Sequence, residues 1–236
     1  MIKTIKSEER HHDNFGWLDT HWHFSFDAYH DPSNMNWGAL RVFNDDVIEP
    51  GQGFGMHPHR DMEVITYVIS GELEHQDSTG NRGVIRAGEV QVMSAGTGIF
   101  HSEYNHSKES PVHLLQLWIL PRKRGLNPRW EQRLFTPAER GGKLLPVVSN
   151  GDLAGTLKID QDAQIYISAL PAGGEVKHSS RPQRKAYLFA IEGEVSVNGK
   201  TLEAGDQARL ADEHELSIKA PKDSEFILLD LPELRN

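Results

Sequence analysis

Cysteine is absent from the 236 residues. That excludes disulfides, thiolate nucleophiles, zinc fingers and cysteine-ligated iron-sulfur clusters, so any metal here must be held by imidazole, carboxylate or water. Long hydrophobic runs are also missing. No stretch approaches the roughly 18 apolar residues of a membrane span, and the opening MIKTIKSEERHH is too polar for a secretory signal. The expectation is a cytoplasmic chain with no membrane partner. Positive charge is in deficit, with 25 Lys plus Arg against 34 Asp plus Glu, a formal net charge of −9. This argues against general nucleic-acid binding, although Arg122, Lys123, Arg124, Arg129 and Arg133 make a local basic segment.

Histidine is plentiful. Of thirteen histidines, eleven lie at or before His113, and only His178 and His214 fall beyond it. Whatever histidine does is therefore concentrated in one half of the chain.

Short Val- and Ile-rich runs separated by Gly, Asn, Asp and Pro recur, and a sustained 3.6-residue periodicity is missing. The chain reads as all-β. Strands are expected at 40–48, 63–70, 71–76, 82–85, 89–93 and 113–120, and HQDSTGNRG between two of them is a hairpin signal. Pro121, Pro128 and Pro137 interrupt the pattern among charged residues, marking a connection with one helical turn. From Lys143 the strand pattern resumes. An internal repeat supports the division, because YVISGELEHQ and GVIRAGEVQVMSAG resemble LFAIEGEVSVNG and KTLEAGDQARLAD, aligning Gly71 with Gly193 and Gly88 with Gly205. The expected organisation is an N-terminal unit over 1–120, a connection over 121–142 and a second β unit over 143–236.

The densest polar constellation is GQGFGMHPHRDMEVITYVISG followed by AGTGIFHSEYNH. His57 and His59 are two apart, so a strand places both on one face, and His101 with Glu103 repeats that spacing. Two such pairs on neighbouring strands would aim three imidazoles and one carboxylate at a single ion. That donor set suits Fe(II), Mn(II), Ni(II), Cu(II) or Zn(II) better than Mg(II) or Ca(II). Gly51, Gly53, Gly55, Gly96 and Gly98 would allow close backbone approach near the site, or serve as ordinary turns or bulges. Glu63, four residues after His59, reads as an orienter of histidine or a structural residue more than as a ligand. Asp61 with Glu103 raises a paired-carboxylate alternative that the histidine density outweighs. His106 and His113 read as surface or strand residues. His21 and His23 share i,i+2 spacing beside Trp22, Phe24 and Phe26, and read as an aromatic strand or covering loop before a second metal patch. Phe54, Met56, Met62, Met93 and Phe100 could wall a ligand cavity or belong to the core.

These residues carry a resemblance to the cupin superfamily and, more closely, to the bicupin pirin family with its bacterial pirin-like quercetin 2,3-dioxygenases. One cupin motif is visible as Gly51, His57, His59, Glu63 and Gly71, and the other as Gly88, Gly96 and His101. The resemblance spans essentially the whole chain and implies two jelly-roll cupin barrels joined by a short, partly helical connection. Ser94 departs from the Pro usual in the second motif, and the spacing from Gly98 to His101 is longer than usual. In pirin-like proteins the carboxylate ligand looks like the Glu two residues after the last His, here Glu103, which demotes Glu63. The implied metal set is His57, His59, His101 and Glu103, with Glu103 also the catalytic base. The C-terminal copy carries Ser179 and Arg181 near the positions of the paired histidines, so its metal site is expected to be lost.

The resemblance implies one divalent transition-metal ion, Fe(II) first, with Cu, Ni, Mn, Co or Zn as alternatives. The implied partners are a flavonol-like small molecule and O2, whose reaction opens the flavonol ring and releases carbon monoxide and a depside. The expected state is a monomer with room for a protein partner. Two other readings stay open: a non-enzymatic metal-bearing regulatory or redox-sensing protein, and a cupin isomerase. The lack of an obvious Lys and Tyr acid-base set near the motifs lowers the isomerase.

Overall fold

In a computed structural model of the chain, which describes residues 1–234, the strands expected from sequence form at Leu40–Ile48, Glu63–Ser70, Glu72–Asp77, Arg82–Arg86, Glu89–Ser94 and Val112–Ile119. The architecture is all-β with two cupin barrels. Each barrel opposes a seven-stranded sheet to a four-stranded one. In the first, Arg129–Leu134, Glu89–Ser94, Glu63–Ser70, Val112–Ile119, Leu40–Ile48, Leu18–Trp22 and His11–Asn14 make the large sheet. Gly53–His59, Ile99–Asn105, Glu72–Asp77 and Arg82–Arg86 make the small one.

The two large sheets pack back to back. Phe43, Tyr67, Leu115 and Leu117 from the first barrel share one core with Ile165, Tyr187, Phe189, Ile227 and Leu229 from the second. This explains near-continuous apolar runs such as VITYVI: Ile65 and Tyr67 face the other barrel, whereas Val64 and Val68 face the interior of their own. The barrels also exchange edges. Ile2–Ile5 pairs with Gln207–Ala211 of the second barrel, and Arg129–Leu134, from the segment expected to be only a connection, pairs with Glu89–Ser94 of the first. The helical turn is Pro137–Arg140, capped reciprocally by Thr136 and Glu139 with Pro137 at its start.

His21 and His23 do not act as a pair. The strand ends at Trp22, and His23 turns into the junction between barrels, where its ring stacks on Phe43 at 4.5 Å and bonds the Tyr187 hydroxyl. Burial lowers its pKa well below the ordinary histidine value. Several members of the basic segment are neutralised locally. Arg122 meets Asp160 at 3.4 Å, Arg129 meets Glu131 at 3.1 Å and Arg133 meets Glu139 at 2.8 Å. Among the described residues no helix is long and apolar enough to cross a membrane.

Candidate metal centre

The small sheet of the first barrel carries the site. Gly53–His59 and Ile99–Asn105 pair antiparallel with His57 opposite His101, so the two i,i+2 pairs expected from sequence come together across one ladder. A register shift between His101 and Glu103 sets Glu103 opposite Phe54. Gly53 permits this close approach: a Cβ there would lie 2.2 Å from the Glu103 carbonyl oxygen. Gly96 has φ +48, and a Cβ there would lie 2.0 Å from the Leu126 carbonyl. Gly53 therefore shapes the backbone beside Glu103, and Gly96 lets the connecting segment pack against the turn before His101.

His57, His59 and His101 bring one ring nitrogen each within 4.8 Å of the others. Glu103 falls in an overlapping group with His101 and His75 at the same separation, and His101 is the shared member. His75 is the residue that sequence reasoning missed. It lies in Glu72–Asp77 on the third strand of the sheet, with Glu103 opposite it and Asp77 opposite His101. Three adjacent strands thus each contribute an inward i,i+2 pair: His57 and His59, His101 and Glu103, His75 and Asp77. The signal that could have found the third pair is the alternation of Leu73, His75 and Asp77 on one strand face.

Hydrogen bonds determine which nitrogens are available. His57 Nδ1 donates to the Gly55 carbonyl at 2.8 Å, leaving Nε2 as a lone-pair donor. His101 Nδ1 meets His75 Nδ1 at 3.4 Å, and His75 Nε2 meets Asp77 Oδ2 at 3.2 Å. Burial pushes Asp77 up, but donors on Asn81, Thr79 and His75 outweigh it and hold the carboxyl at about 2. An ionised Asp77 accepts from His75 Nε2–H, so His75 Nδ1 accepts from His101 Nδ1–H, and His101 Nε2 carries a lone pair. That Nε2 is buried without a hydrogen-bond partner. Burial, with the neighbouring imidazoles, lowers His59 to about 4, and burial is also the main cause that lowers His101 to about 4. Both are neutral donors at pH 7. An orphaned imidazole nitrogen among neutral imidazoles, with a carboxylate adjoining, fits a divalent transition ion.

Glu103 is held from the opposite sheet. Gln91 Nε2 donates to its Oε1 at 3.1 Å and Gln116 Nε2 to its Oε2 at 2.7 Å. Each amide oxygen is itself occupied: Trp130 Nε1 donates to Gln91 at 2.7 Å and Trp118 Nε1 to Gln116 at 3.1 Å. An indole N–H can only donate, so it turns each glutamine oxygen toward tryptophan and each NH2 toward Glu103. Burial pushes Glu103 up, but His101, His75 and the Gln116 bond outweigh it, and its pKa lies below the ordinary carboxylate value.

The other polar candidates fall outside this centre. The chain bends after His59 and Glu63 begins a strand of the opposite sheet, so the uninterrupted strand that would align it with His57 and His59 does not exist. Glu63 instead accepts from Ser94 Oγ at 2.5 Å, and burial raises its pKa. Asp61 accepts from the Gly125 N–H at 2.7 Å in the connecting segment, away from Glu103. His106 bonds Glu74 at 3.0 Å and His113 bonds Asp45 at 2.6 Å. His21 groups with His12 and Asp19 on the outer strands, a partner set the i,i+2 reading did not contain. In the second barrel Val176, Leu188, Val197, Leu216, Ile218 and Phe226 pack together, alongside buried His178, Arg184 and Asp230. His178 bonds Asp230 at 2.8 Å.

Beside the centre lies a cavity of ≈ 790 Å³, within the range of small-molecule sites. His57 and Glu103 reach its surface, and Trp17, Trp22, Phe26, Phe54, Met62 and Trp118 form its apolar wall. Phe54 and Met62 thus serve as cavity wall. Met93 is fully buried core, and Met56 and Phe100 are exposed and do not line it.

Comparison with known proteins agrees with this architecture. The Pirin family matches residues 5–119, and the family described as the quercetinase C-terminal cupin domain matches residues 146–231. The chain is 49% identical to a quercetin 2,3-dioxygenase of Escherichia coli K12, covering 98% of this chain and 99% of that one. It is 46% identical to a pirin-like protein of Caulobacter vibrioides over 91% of this chain and 93% of the relative. The crystal structure of the bacterial pirin YhhW from Escherichia coli in complex with nickel(II) superposes with a TM-score of 0.94 at 46% identity, covering 99% and 100% of the two chains. With both halves matched, the chain belongs to the pirin family of bicupins, homologous to the bacterial pirin-like quercetin 2,3-dioxygenases.

Proposed function

We propose that this chain is a metal-dependent dioxygenase that opens the heterocyclic ring of a flavonol with O2 and releases carbon monoxide and a depside. The observation that carries the reading is the position of His57 and Glu103: they belong to the candidate metal centre and also line a large aromatic cavity. The activity recorded in the names of close relatives supports it.

In this reading His57, His59 and His101 hold the ion and Glu103 completes the donor set. Fe(II) heads the assignment on the family resemblance, and imidazole and carboxylate donors suit Ni, Cu, Mn, Co and Zn as alternatives. When bound, the ion supplies Lewis acidity to the flavonol 3-hydroxyl oxygen, making its proton easier to remove. Glu103 accepts that proton. Its two oxygens offer about four lone-pair positions, and Gln91 and Gln116 occupy only two of them. The glutamines keep the carboxylate aimed while Trp17, Trp22, Phe54 and Trp118 exclude water and pack against the rings. Neither Lys nor Tyr lines this cavity among the described residues, so the isomerase reading lacks a Lys and Tyr acid-base set here.

Purified protein stripped by a chelator and reloaded separately with Fe(II), Mn(II), Co(II), Ni(II), Cu(II) or Zn(II) tests the reading. Supplied with quercetin under air, it should release carbon monoxide and depside in equal amounts with at least one ion. No turnover with any of them contradicts it.

A further inference from the structure

The wall of the cavity is not uniformly apolar. Along Leu40–Ile48 the alternate residues Val42, Asn44 and Asp46 face inward, and Thr20 of the neighbouring strand lies opposite Asp46. Asn44 lies opposite Gln116 on its other side, so it stands one strand, about 5 Å, from the residue that holds Glu103. Thr20 and Asp46 extend the polar lining one step further along the same two strands.

Asn44 is unusual in its surroundings. The residue is 4% exposed, and Oδ1 is buried with no hydrogen-bond partner. Buried polar atoms are nearly always paired, and one left unpaired on a residue that lines a cavity marks a place where a ligand can supply the missing bond. An amide both donates and accepts, which matches a phenolic hydroxyl. Asp46 accepts from the Thr20 hydroxyl, and its carboxyl, also buried, lines the same cavity. Burial pushes Asp46 up to about 7, so near neutral pH this carboxyl too can both give and take a hydrogen bond. None of the three side chains belongs to the metal centre.

We propose that Asn44, Thr20 and Asp46 form a hydroxyl-recognising subsite, which makes the protein selective for flavonols bearing phenolic hydroxyls on a ring remote from the 3-hydroxyl. The inference rests on the dioxygenase reading for the identity of the ligand. Its physical basis is separate: a site built to pair with a hydroxyl rejects the analogue that lacks it, because its own polar groups are then stranded.

The test compares quercetin with 3-hydroxyflavone, the parent flavonol without ring hydroxyls, by calorimetric binding to metal-loaded protein under argon, where no turnover occurs. The wild type should bind quercetin at least about tenfold more tightly. Asn44→Leu, close in volume, and Thr20→Val should each reduce that preference severalfold and leave 3-hydroxyflavone affinity within about twofold. Equal wild-type affinity for the two flavonols overturns the subsite, as does a preference unchanged in both folded variants, with folding checked by circular dichroism. The subsite and the reaction are separable. A binding preference that the variants abolish, together with no carbon monoxide from the same preparations in air, supports the subsite and contradicts the dioxygenase reading.

Discussion

His101 meets His75 ring to ring, Nδ1 to Nδ1 at 3.4 Å, and through it reaches the carboxylate of Asp77. The chain from Asp77 to His75 to His101 orders the protons so that His101 Nε2 is left as a bare lone pair. His75 is fully buried and its ring stacks on Trp130 with centroids 5.3 Å apart, so the relay is held rigidly. A histidine ligand oriented this way binds metal more tightly than one free to rotate.

Replacing His75 with Phe preserves an aromatic ring against Trp130 and removes the hydrogen bonds. Metal affinity, measured by competition with a chromogenic chelator, should fall about 10- to 100-fold while His57, His59 and His101 remain. An unchanged affinity in a folded variant would show that the relay does not position His101.

A second positioning effect concerns Glu103. Gln116→Leu removes one of its two amide donors, and Trp118→Phe removes the N–H that fixes the orientation of Gln116 together with part of the ring that walls the cavity. Gln116→Leu should lower kcat by roughly tenfold with metal content retained, and Trp118→Phe by a smaller factor. Steady-state kinetics on metal-quantified protein checks both, and equal kcat in wild type and Gln116→Leu would contradict the positioning role.

Asp46 sets a pH dependence of stability. Burial raises its folded pKa to about 7 from an ordinary 3.8, with Asp45 and Glu103 adding to the rise and Thr20 and His113 opposing it. The folded protein therefore holds a proton that the unfolded chain has lost. Stability attributable to this proton is complete below about pH 4, declines as pH rises through about 7, and is absent above it. Asp46→Asn removes the charge that burial penalises. Relative to wild type the variant should gain little at pH 4 and up to about 4 kcal/mol at pH 8.5, measured by urea unfolding at both values. Parallel stability curves would contradict the raised pKa.

Much of this was legible in the residues, for identifiable reasons. Strand runs bounded by Gly and Asn located the sheets because each large sheet is buried on both faces, leaving near-continuous apolar stretches. The meeting of His57 and His59 with His101 and Glu103 across one ladder was legible because i,i+2 spacing survives in a strand and the pairs follow glycines. His75 and Asp77 have the same spacing, but they sit in GELEHQDSTG, where the turn chemistry of Asp77, Thr79 and Asn81 dominates the reading. Gln91 and Gln116 look like ordinary strand residues until the opposite sheet brings Glu103 between them. The i,i+2 pairing of His21 with His23 failed because the strand ends at Trp22, which periodicity alone does not mark. The edge exchange by Ile2–Ile5 depends on contacts some two hundred residues apart.

The central claim is that Glu103 accepts the flavonol proton beside an ion held by three imidazoles. The most direct measurement is carbon monoxide released per metal ion from quercetin in air by wild type and Glu103→Gln, with metal content determined on the same samples. The account predicts that Glu103→Gln retains most of its metal through His57, His59 and His101 and loses carbon monoxide release by at least about 100-fold. Full metal occupancy with undiminished carbon monoxide release would contradict it.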